Sequence, residues 1–452
     1  MRTIADRRPL AWLALLALTA CGITALSGVA AALVYTDGEP ALRAVGLTLQ
    51  NIRPVHDTFA FAWVFLGGVT VVYFHMSSEY GPLTPAARRR LHWQLGFWAA
   101  AGIGALATLL AGRFSGREYM GYDPIFSVLI LAGWLLFAWN YFDRVGFRLS
   151  GRPVYIYMWT VAVPLFAFAF LEGHLYLLDS LSWRPVRDIA IQWKSNGVLV
   201  GSFNLLAYGS LMYLAGGLRG DDSYAHSRTA HALFVVGVLN TFANYGHHTF
   251  HLPQSAWIHW ISFVVSMLEV VILAKVFVDV LGLRKMNRPA AELRGAVWFV
   301  RSATAWTFGL LVLALAISVP PLNALIHGTH VVVAHSMGSM IAIDSMILWA
   351  AFACMLVAML GSDAAVVRGL RVVAVIPLIN VFLLFFLSSL LARGIVDGWS
   401  RYLGPSSPDF SLYLEVFPLL LFVTGTGLAA AILWVIGHWA AALLPVAWGA
   451  RG

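Results

Sequence analysis

The stretch His327-Gly-Thr-His330-Val-Val-Val-Ala-His335-Ser-Met337 carries the strongest single signal in this chain. It lies in a long apolar run, where histidine is rare because a polar ring in lipid needs a partner. His335 and Met337 are two positions apart, so on a helix they point to nearly opposite sides. Haem iron accepts both His and Met as axial ligands. The stretch therefore predicts a membrane helix that ligates two cofactors, one on each face, and it indicates a redox protein.

Composition predicts that the whole chain lies in a membrane. Of its 452 residues, 60% are hydrophobic and 11% are charged, whereas a soluble domain has about a quarter charged residues. Apolar runs near the ~20 residues that cross a bilayer as a helix recur from end to end. We therefore expect an all-α polytopic membrane protein, one domain over residues 1–452, with twelve transmembrane helices. The predicted spans are 10–35, 55–76, 93–113, 125–143, 154–178, 191–216, 229–250, 257–282, 296–318, 327–358, 369–391 and 411–441.

The net charge of +8 comes from basic residues that lie mostly in the predicted cytoplasmic loops. With the N-terminus inside, the arginine-rich loops at 88–90, 144–152 and 284–294 share the cytoplasmic side. This positive-inside bias predicts a bacterial cytoplasmic (inner) membrane protein with both termini in the cytoplasm. We expect the lipid bilayer to be its environment and expect no nucleic-acid partner.

The cysteines exclude several kinds of site. Cys21 and Cys354 both lie in predicted spans and have no Cys-x-x-Cys neighbour, so a disulfide framework or a thiolate metal site is not expected. The sequence contains no Cys-x-x-Cys-His motif for covalent c-type haem. The first span lacks a small-residue cleavage site and is expected to be retained.

The predicted topology places histidines from three distant spans at one depth. His56 lies at the outer end of the second span, His247 and His248 near the outer end of the seventh, and His335 in the first turns of the tenth. A haem pocket requires such convergence. Each residue also has a plainer interpretation, because a lone intramembrane histidine is often a hydrogen-bonded packing residue and adjacent histidines also occur at helix ends.

Five motifs occur in the order of a known family. They are Arg53 with His56, Gly116-Arg117-Glu118-Tyr119, Gly246-His247-His248-Thr249-Phe250, Ser266-Met267-Leu268-Glu269, and His327-Gly328-Thr329-His330 with Ala334-His335-Ser336-Met337. The sequence resembles the catalytic subunit of cytochrome c-dependent nitric oxide reductase, in the haem-copper oxidase superfamily. The resemblance covers nearly the whole chain and implies a fold like that of haem-copper oxidase subunit I.

The resemblance implies two haem b groups and a non-haem iron, with copper as the alternative metal. His56 and Met337 would ligate the low-spin haem, and His335 the high-spin haem at which substrate binds. His247 and His248 would ligate the iron facing that haem. Met337 stands where the family has histidine, and a Met ligand raises the haem potential. The alternative is that this haem is five-coordinate or missing.

The resemblance also implies a polar rim at the outer side. Glu118 matches a carboxylate that binds a calcium ion bridging the haem propionates, and oxygen ligands suit this hard cation. The resemblance implies that three side chains lie near the haem propionates, where cations or hydrogen-bond donors would contact the propionate oxygens. They are Arg53, Arg117 and His327.

The sixth predicted span departs from the family pattern. With Trp193–Gly201 aligned, Asn196 stands where the family has the third iron ligand, a histidine. Val200 replaces a glutamate that helps to hold the iron and deliver protons, and Asn204 replaces a second acid. An amide oxygen is a weak ligand for iron.

Replacement groups lie at a similar depth. Glu172 and His174 end the fifth span, His251 follows the seventh, and Glu269 lies on the eighth. These residues are candidates for replacement ligands or for lining a proton path.

The resemblance implies reduction of two NO to N2O, with electrons from a membrane-anchored cytochrome c subunit passing through the low-spin haem. One alternative is a nitric oxide dismutase, which forms N2 and O2 from two NO. Another is a non-catalytic haem sensor or electron-transfer subunit. An oxygen reductase is less favoured, and a transporter would leave the shared depth of the histidines unexplained.

Overall fold

The computed structural model describes residues 6–249, 252–281, 291–360, 362–404 and 408–449. His251 and the basic residues at 284–288 lie outside the described residues. Throughout the described ranges the secondary structure is helical, with no β-strand. The predicted all-α fold class is therefore confirmed.

Twelve long helices follow one another along the described part of the chain and match the predicted spans in order. They are α1 (Arg7–Leu33), α2 (Leu49–Glu79), α3 (Pro85–Leu110), α4 (Ile125–Val145), α5 (Val154–Gly173), α6 (Pro185–Arg219), α7 (Arg228–Ala243), α8 (Ala256–Leu281), α9 (Arg294–Ser318), α10 (His330–Leu360), α11 (Ser362–Leu403) and α12 (Ser411–Ala447).

Local sequence explains several helix ends. Thr84 caps α3 by accepting a hydrogen bond from the Ala87 amide, and Pro85 takes the first helical position, where its missing N–H costs nothing. Ser227 caps α7 in the same way. Gly220 ends α6 in the left-handed conformation that glycine adopts without strain.

The seventh span is shorter than predicted. Eleven helices in the described residues are long and apolar enough to cross a membrane. The exception is α7, which ends at Ala243 and continues as a 3-10 turn over Asn244–His247. A Cβ at Gly246 would lie 2.7 Å from the Ile258 carbonyl oxygen. The chain therefore tightens where it passes directly against α8, so His247 and His248 lie in a turn and not in the predicted helix.

Helix α10 contains a π-helical segment. The α-helix over His330–Gly338 gives way to a π-helix over Ser339–Ser345 and resumes at Met346. Ser345 Oγ donates to the Met340 carbonyl at 2.7 Å and accepts from Trp63 Nε1 of α2 at 2.8 Å. π-Helical turns widen a helix locally and are frequent at functional sites.

Three helices form the centre of the bundle. The most apolar window of α2 is 89% buried, and those of α6 and α10 are each 78% buried, against 28% to 56% for the other membrane-crossing helices. These three central helices carry His56, Asn196 and the His335-Ser336-Met337 segment. Part of the predicted site therefore lies on the most buried helices, whereas His247 and His248 lie in the turn after α7.

Candidate functional site

The imidazole of His56 is held in place by α1. Its Nδ1 lies 3.0 Å from the Thr24 carbonyl oxygen. Gly28, one turn further along α1, allows this approach, because a Cβ there would lie 3.1 Å from His56 Cε1. A histidine whose Nδ1 donates to a carbonyl presents Nε2 to a metal in a set orientation. His56 is therefore oriented as an axial ligand would be.

His335 and Met337 follow a capped helix start. Thr329 Oγ1 accepts a hydrogen bond from the Val331 amide, and Gly328 has a φ of 72° that suits the turn before it. His335 Nδ1 is buried without a hydrogen-bond partner. Met337 packs against the hydrophobic core. A buried polar atom without a partner is costly and needs an explanation.

Four histidines gather at one end of the bundle, which we call the histidine end. His327 and His335 lie within electrostatic range of both His247 and His248. The rings of His247 and His248 have centroids 4.4 Å apart. The Trp193 ring of α6 stacks parallel to His248, with centroids 5.1 Å apart. The structure thus brings together the pair from the turn after α7 and the histidines at the start of α10.

Asn196 lies on α6 beside this histidine pair. Trp193, one turn earlier, stacks on His248, and the next residue, Gly197, meets the Asn244 side chain of the 3-10 turn. The Asn196 side chain is 2% exposed, and neither its amide oxygen nor its nitrogen has a hydrogen-bond partner. An amide buried without partners costs a few kcal/mol (about 1–3). Its polar atoms are available to a bound group.

A three-residue cluster of the usual metal ligands is missing from the described part of the chain. Among the described residues, no group of three or more His, Cys, Asp or Glu side chains could hold a metal ion. His247 and His248 therefore form a pair, and Asn196 lies one turn along α6 from Trp193, which stacks on His248.

The proposed replacement groups on α5 have other partners. His174 Nδ1 lies 2.6 Å from the Phe170 carbonyl, and its Nε2 lies 2.6 Å from Ser127 Oγ. Glu172 Oε1 accepts from Lys194 Nζ at 2.7 Å, whereas its Oε2 is buried without a partner. Both ring nitrogens of His174 are thus occupied, while Glu172 keeps one oxygen free near the start of α6.

The rim residues form ion pairs. Arg53 lies 3.1 Å from Glu118 and 3.5 Å from Asp57. Burial raises the pKa of Glu118, and the Arg53 guanidinium opposes that shift. Tyr119 has a φ of 63°, which is strained for a non-glycine residue, and its ring stacks on Phe61 with centroids 3.9 Å apart. The loop is therefore held in a specific shape.

Arg117 connects this loop to α6. It donates to both oxygens of Asp188 at 2.8 and 2.9 Å and to Gln192 at 3.0 Å. Its guanidinium also lies 4.1 Å from the Tyr176 ring centroid. Sequence reasoning missed Asp188, although an acid in the first turn of a helix is a common anchor. His327 adds a backbone contact, because its carbonyl accepts from Arg401 at 2.7 Å.

A hydrogen-bonded series of side chains leads from His247 into the bundle. Ser266 Oγ lies 3.5 Å from His247 Nδ1 and donates to Asn240 Oδ1 at 3.1 Å. Asn240 Nδ2 donates in turn to Glu269. Beside them is a cavity of about 10 Å³, which has space for about one water. Its polar lining includes Asn204, Tyr208, Asn240 and Glu269. Sequence reasoning missed Asn240, although it lies two turns before His247.

Comparison with known proteins identifies the family. The model of the family described as cytochrome c and quinol oxidase polypeptide I matches residues 8–429. A cryo-EM structure of a heme-copper terminal oxidase dimer superposes with a TM-score of 0.70 at 14% identity, over 97% of this chain and 84% of that chain. At this identity the likeness shows the fold alone. No curated protein sequence matches the chain.

The chain belongs to the cytochrome c and quinol oxidase polypeptide I family. It is a multi-pass membrane protein of the haem-copper oxidase superfamily, whose subunit I proteins are oxidoreductases. Such oxidases typically bind haems and a metal centre, and they act in a membrane with other subunits and small-molecule substrates. The predicted superfamily and subunit I-like fold are confirmed, and the nitric oxide reductase subtype stays a prediction.

Proposed function

We propose that this chain is a nitric oxide reductase-like oxidoreductase. The reaction 2 NO + 2 e⁻ + 2 H⁺ → N2O + H2O needs a site for two small gas molecules and supplies of electrons and protons. The observation that carries the proposal is the histidine pair His247–His248, whose ring centroids are 4.4 Å apart, together with the buried Asn196 amide of α6, which has no hydrogen-bond partner. The copper site of an oxygen reductase would need three histidines, whereas here Asn196 stands in the third position.

The residues present fit two haems. His56, with Nδ1 held by the Thr24 carbonyl, and Met337 would ligate a low-spin haem b. His335, on the other face of α10 and with its Nδ1 atom buried, would ligate a high-spin haem b. Bound there, the haems and the second metal would supply electron storage and the coordination of the gas.

His247, His248 and the Asn196 oxygen would hold the non-haem iron, with copper as the alternative metal. Ser266 orients His247 through Nδ1, and Trp193 fixes the ring plane of His248 by stacking. Both contacts position a ligand before the metal binds, as outer-shell partners do in metalloproteins. Because two of these ligands are strong and one is weak, we expect the metal to be bound less tightly than in a three-histidine site.

The rim would serve the haem propionates. We assign a calcium ion to Glu118 and propionate contacts to Arg53, Arg117 and His327. Glu118 supports this assignment because its carboxylate already attracts one cation, Arg53, at 3.1 Å. A calcium ion would take the place of that guanidinium and leave it to a propionate.

Electrons would come from a membrane-anchored cytochrome c subunit, because this sequence has no Cys-x-x-Cys-His motif. We place the histidine end at the outer face of a bacterial inner membrane, with both termini in the cytoplasm. At the opposite end, Asp6 pairs with Arg88 at 2.9 Å, and Arg144 donates to the Tyr80 carbonyl at 2.9 Å. These arginines suit the cytoplasmic side.

Metal stoichiometry tests the proposal. The purified protein is expected to contain two haem b groups and one non-haem iron per chain. Haem without non-haem metal would contradict the proposal and would support a sensor or electron-transfer subunit. The missing three-residue cluster in the described part of the chain is the observation that favours this second candidate. A nitric oxide dismutase has the same metals in this account and is distinguished by its products.

The contact between Gly28 and His56 gives a specific prediction. Gly28→Ala places a methyl group about 3.1 Å from His56 Cε1, so the imidazole must move by a few tenths of an ångström. We expect about 10-fold weaker low-spin haem binding and a changed absorption band for that haem. Gly22→Ala, on the same helix with its nearest neighbour at 3.4 Å, is the matched control. Equal spectra for both variants would show that His56 is not a ligand.

His174 gives a prediction of no effect. Its two ring nitrogens already bond to Phe170 and Ser127, so His174→Ala is expected to leave the iron content within about twofold of the wild type. His248→Ala, which removes a proposed ligand, is the positive control and should lose the iron. Iron loss in His174→Ala would instead make His174 the third ligand.

A further inference from the structure

Two cations lie on the outward surfaces of neighbouring helices, at the end of the bundle opposite to the histidine end. Helix α8 starts at the histidine end, where Gly246 meets the Ile258 carbonyl. Lys275 follows Ile258 by seventeen residues, about 26 Å along a helix. Helix α9 packs beside α8 and runs in the opposite direction, and Arg301 lies about 10 Å after its first residue, Arg294. Lys275 and Arg301 are both exposed, so they face the membrane and not the core.

Arg301 belongs to an exposed stripe of α9, which we call the arginine stripe. It consists of Arg294, Trp298 and Arg301, whose spacing of four and three residues places them on one face of the helix. The Arg301 guanidinium lies 5.6 Å from the Trp298 ring centroid. Because Trp298 is one turn nearer to the helix start, the arginine extends towards the membrane surface, as long basic side chains do near helix ends. Tryptophan is itself typical of the lipid headgroup level.

The arginine stripe has an excess of positive charge. In the described part of the chain, no carboxylate lies within ion-pair distance of Arg294 or Arg301. On the neighbouring helix, Lys275 is paired with Asp279 at 2.9 Å. Glu292, the acid that precedes α9, lies in a turn that packs against α11. The stripe therefore offers two guanidinium groups to an anion from outside the chain.

An apolar strip continues from the arginines towards the middle of the membrane. On α9, the outward positions after Arg301 are Ala305 and Gly309, both of which are exposed. A Cβ at Gly309 would meet no atom within 4 Å, so open space lies beside this part of the helix. At a similar depth on α8, Leu268 and Val271 are 51% and 68% exposed. Cations near the surface with an open apolar strip beneath them match a phospholipid, whose phosphate lies above its acyl chains.

We propose that the arginine stripe binds one anionic phospholipid. Arg294 and Arg301 hold the phosphate, since the guanidinium fork matches the geometry of phosphate oxygens. Trp298 packs on the glycerol region, and one acyl chain lies over Ala305 and Gly309. A zwitterionic lipid also carries a phosphate, but its ammonium group would add a cation to a surface that already has an excess of them. The charge of the site therefore selects the anionic headgroup.

Lipid binding to the purified protein tests the inference without any turnover. Native mass spectrometry gives the affinity of the first bound lipid for two probes with the same acyl chains, dioleoylphosphatidylglycerol and dioleoylphosphatidylcholine. One basic residue at a membrane surface contributes about fivefold in affinity for an anionic lipid. We expect phosphatidylglycerol to bind at least about fivefold more tightly than phosphatidylcholine. Equal affinities for the two lipids would overturn the proposal.

Substitutions locate the site. Arg301→Gln and Arg294→Gln are each expected to weaken phosphatidylglycerol binding by about fivefold, whereas Arg301→Lys should retain most of the affinity. Arg89→Gln is the matched control, because Arg89 is an exposed arginine of α3 at the same end of the bundle. This control should stay within about twofold of the wild type. A loss in Arg89→Gln equal to that in Arg301→Gln would show only a diffuse attraction to positive charge and would overturn the site.

A phosphatidylglycerol with a photoreactive diazirine on one acyl chain tests the position of the lipid. After illumination and digestion, mass spectrometry is expected to find the label on α9 within residues 305–312, and less of it in Arg301→Gln. Label confined to other helices would overturn the proposal. So would a protein subunit that cross-links to the arginine stripe in native membranes and takes the place of the lipid.

Discussion

Replacing His247 by alanine is expected to remove the non-haem metal and to lower nitric oxide turnover by more than about 100-fold. Loss of an outer-shell partner typically costs 10- to 100-fold in metal affinity or activity, and loss of one of two good ligands costs more. Both haems should remain, because their proposed ligands are His56, Met337 and His335, and His247 makes none of its described bonds or ring contacts to these three residues. Metal analysis and haem spectra of the purified variant measure the two effects separately.

His231→Ala is the matched control for this experiment. His231 lies in the first turn of α7, at the end away from the turn that carries His247, and there its Nδ1 lies 3.0 Å from the Ser227 carbonyl and its ring contacts Tyr157. This variant should keep its metal and its turnover. A His247→Ala protein that retains full metal and activity would show that the pair does not bind the metal.

Introducing a histidine at position 196 is expected to give the second large effect, a gain in metal affinity. Asn196→His replaces a weak amide donor by imidazole beside His247 and His248. We expect metal affinity to rise by more than about 10-fold, because a third nitrogen ligand completes the coordination. Competition with a chelator measures the affinity, and haem content reports whether the bundle remains intact.

Asn204→His is the control for that gain. It makes the same change on α6, two turns deeper, where the side chain lines the small cavity and not the histidine pair. Only position 196 is expected to change metal binding. Equal affinities in the wild type and Asn196→His, with both haems present, would place Asn196 away from the metal.

The fold was largely predictable because it follows from apolar length. Each helix that crosses the membrane must satisfy its own backbone hydrogen bonds, so long apolar runs translate directly into helices. All the runs are apolar, however, and hydropathy does not separate the central helices from the outer ones. The separation is visible in polar residues such as His56, Asn196 and Asp344, which are tolerated only in the interior.

The seventh span shows that the length of an apolar run does not always predict the length of the helix. The run over 229–250 is long enough to span, yet the helix ends at Ala243 because the chain must turn against α8. The reason is a contact between Gly246 and residues twelve or more positions away, including Ile258. A glycine in an apolar run is compatible both with a continuous helix and with a turn. The position of His247 in a turn was therefore beyond sequence reasoning.

The candidate site was predictable in its residues and less so in their partners. His247 and His248, found from the sequence, do lie together, with ring centroids 4.4 Å apart, and their role as ligands stays a prediction. The partner of His174, Ser127, is 47 residues away in sequence, so nothing nearby signals that Nε2 is occupied.

The family alone does not define the reaction. A fold shared with a terminal oxidase at 14% identity hosts different chemistry according to the residues of the site. In this chain the proposed site residues are a histidine pair and an amide in the position of a third histidine. The choice among reductase, dismutase and sensor therefore depends on products.

Isotope-labelled nitric oxide tests the central claim most directly. The purified protein, reduced and without oxygen, is given the labelled gas, and the products are followed by mass spectrometry against the electrons supplied. The account predicts labelled N2O, one molecule for every two electrons. Labelled N2 with O2, formed without a donor, would contradict it in favour of a dismutase, and no product from a protein with intact haems would contradict it in favour of a sensor.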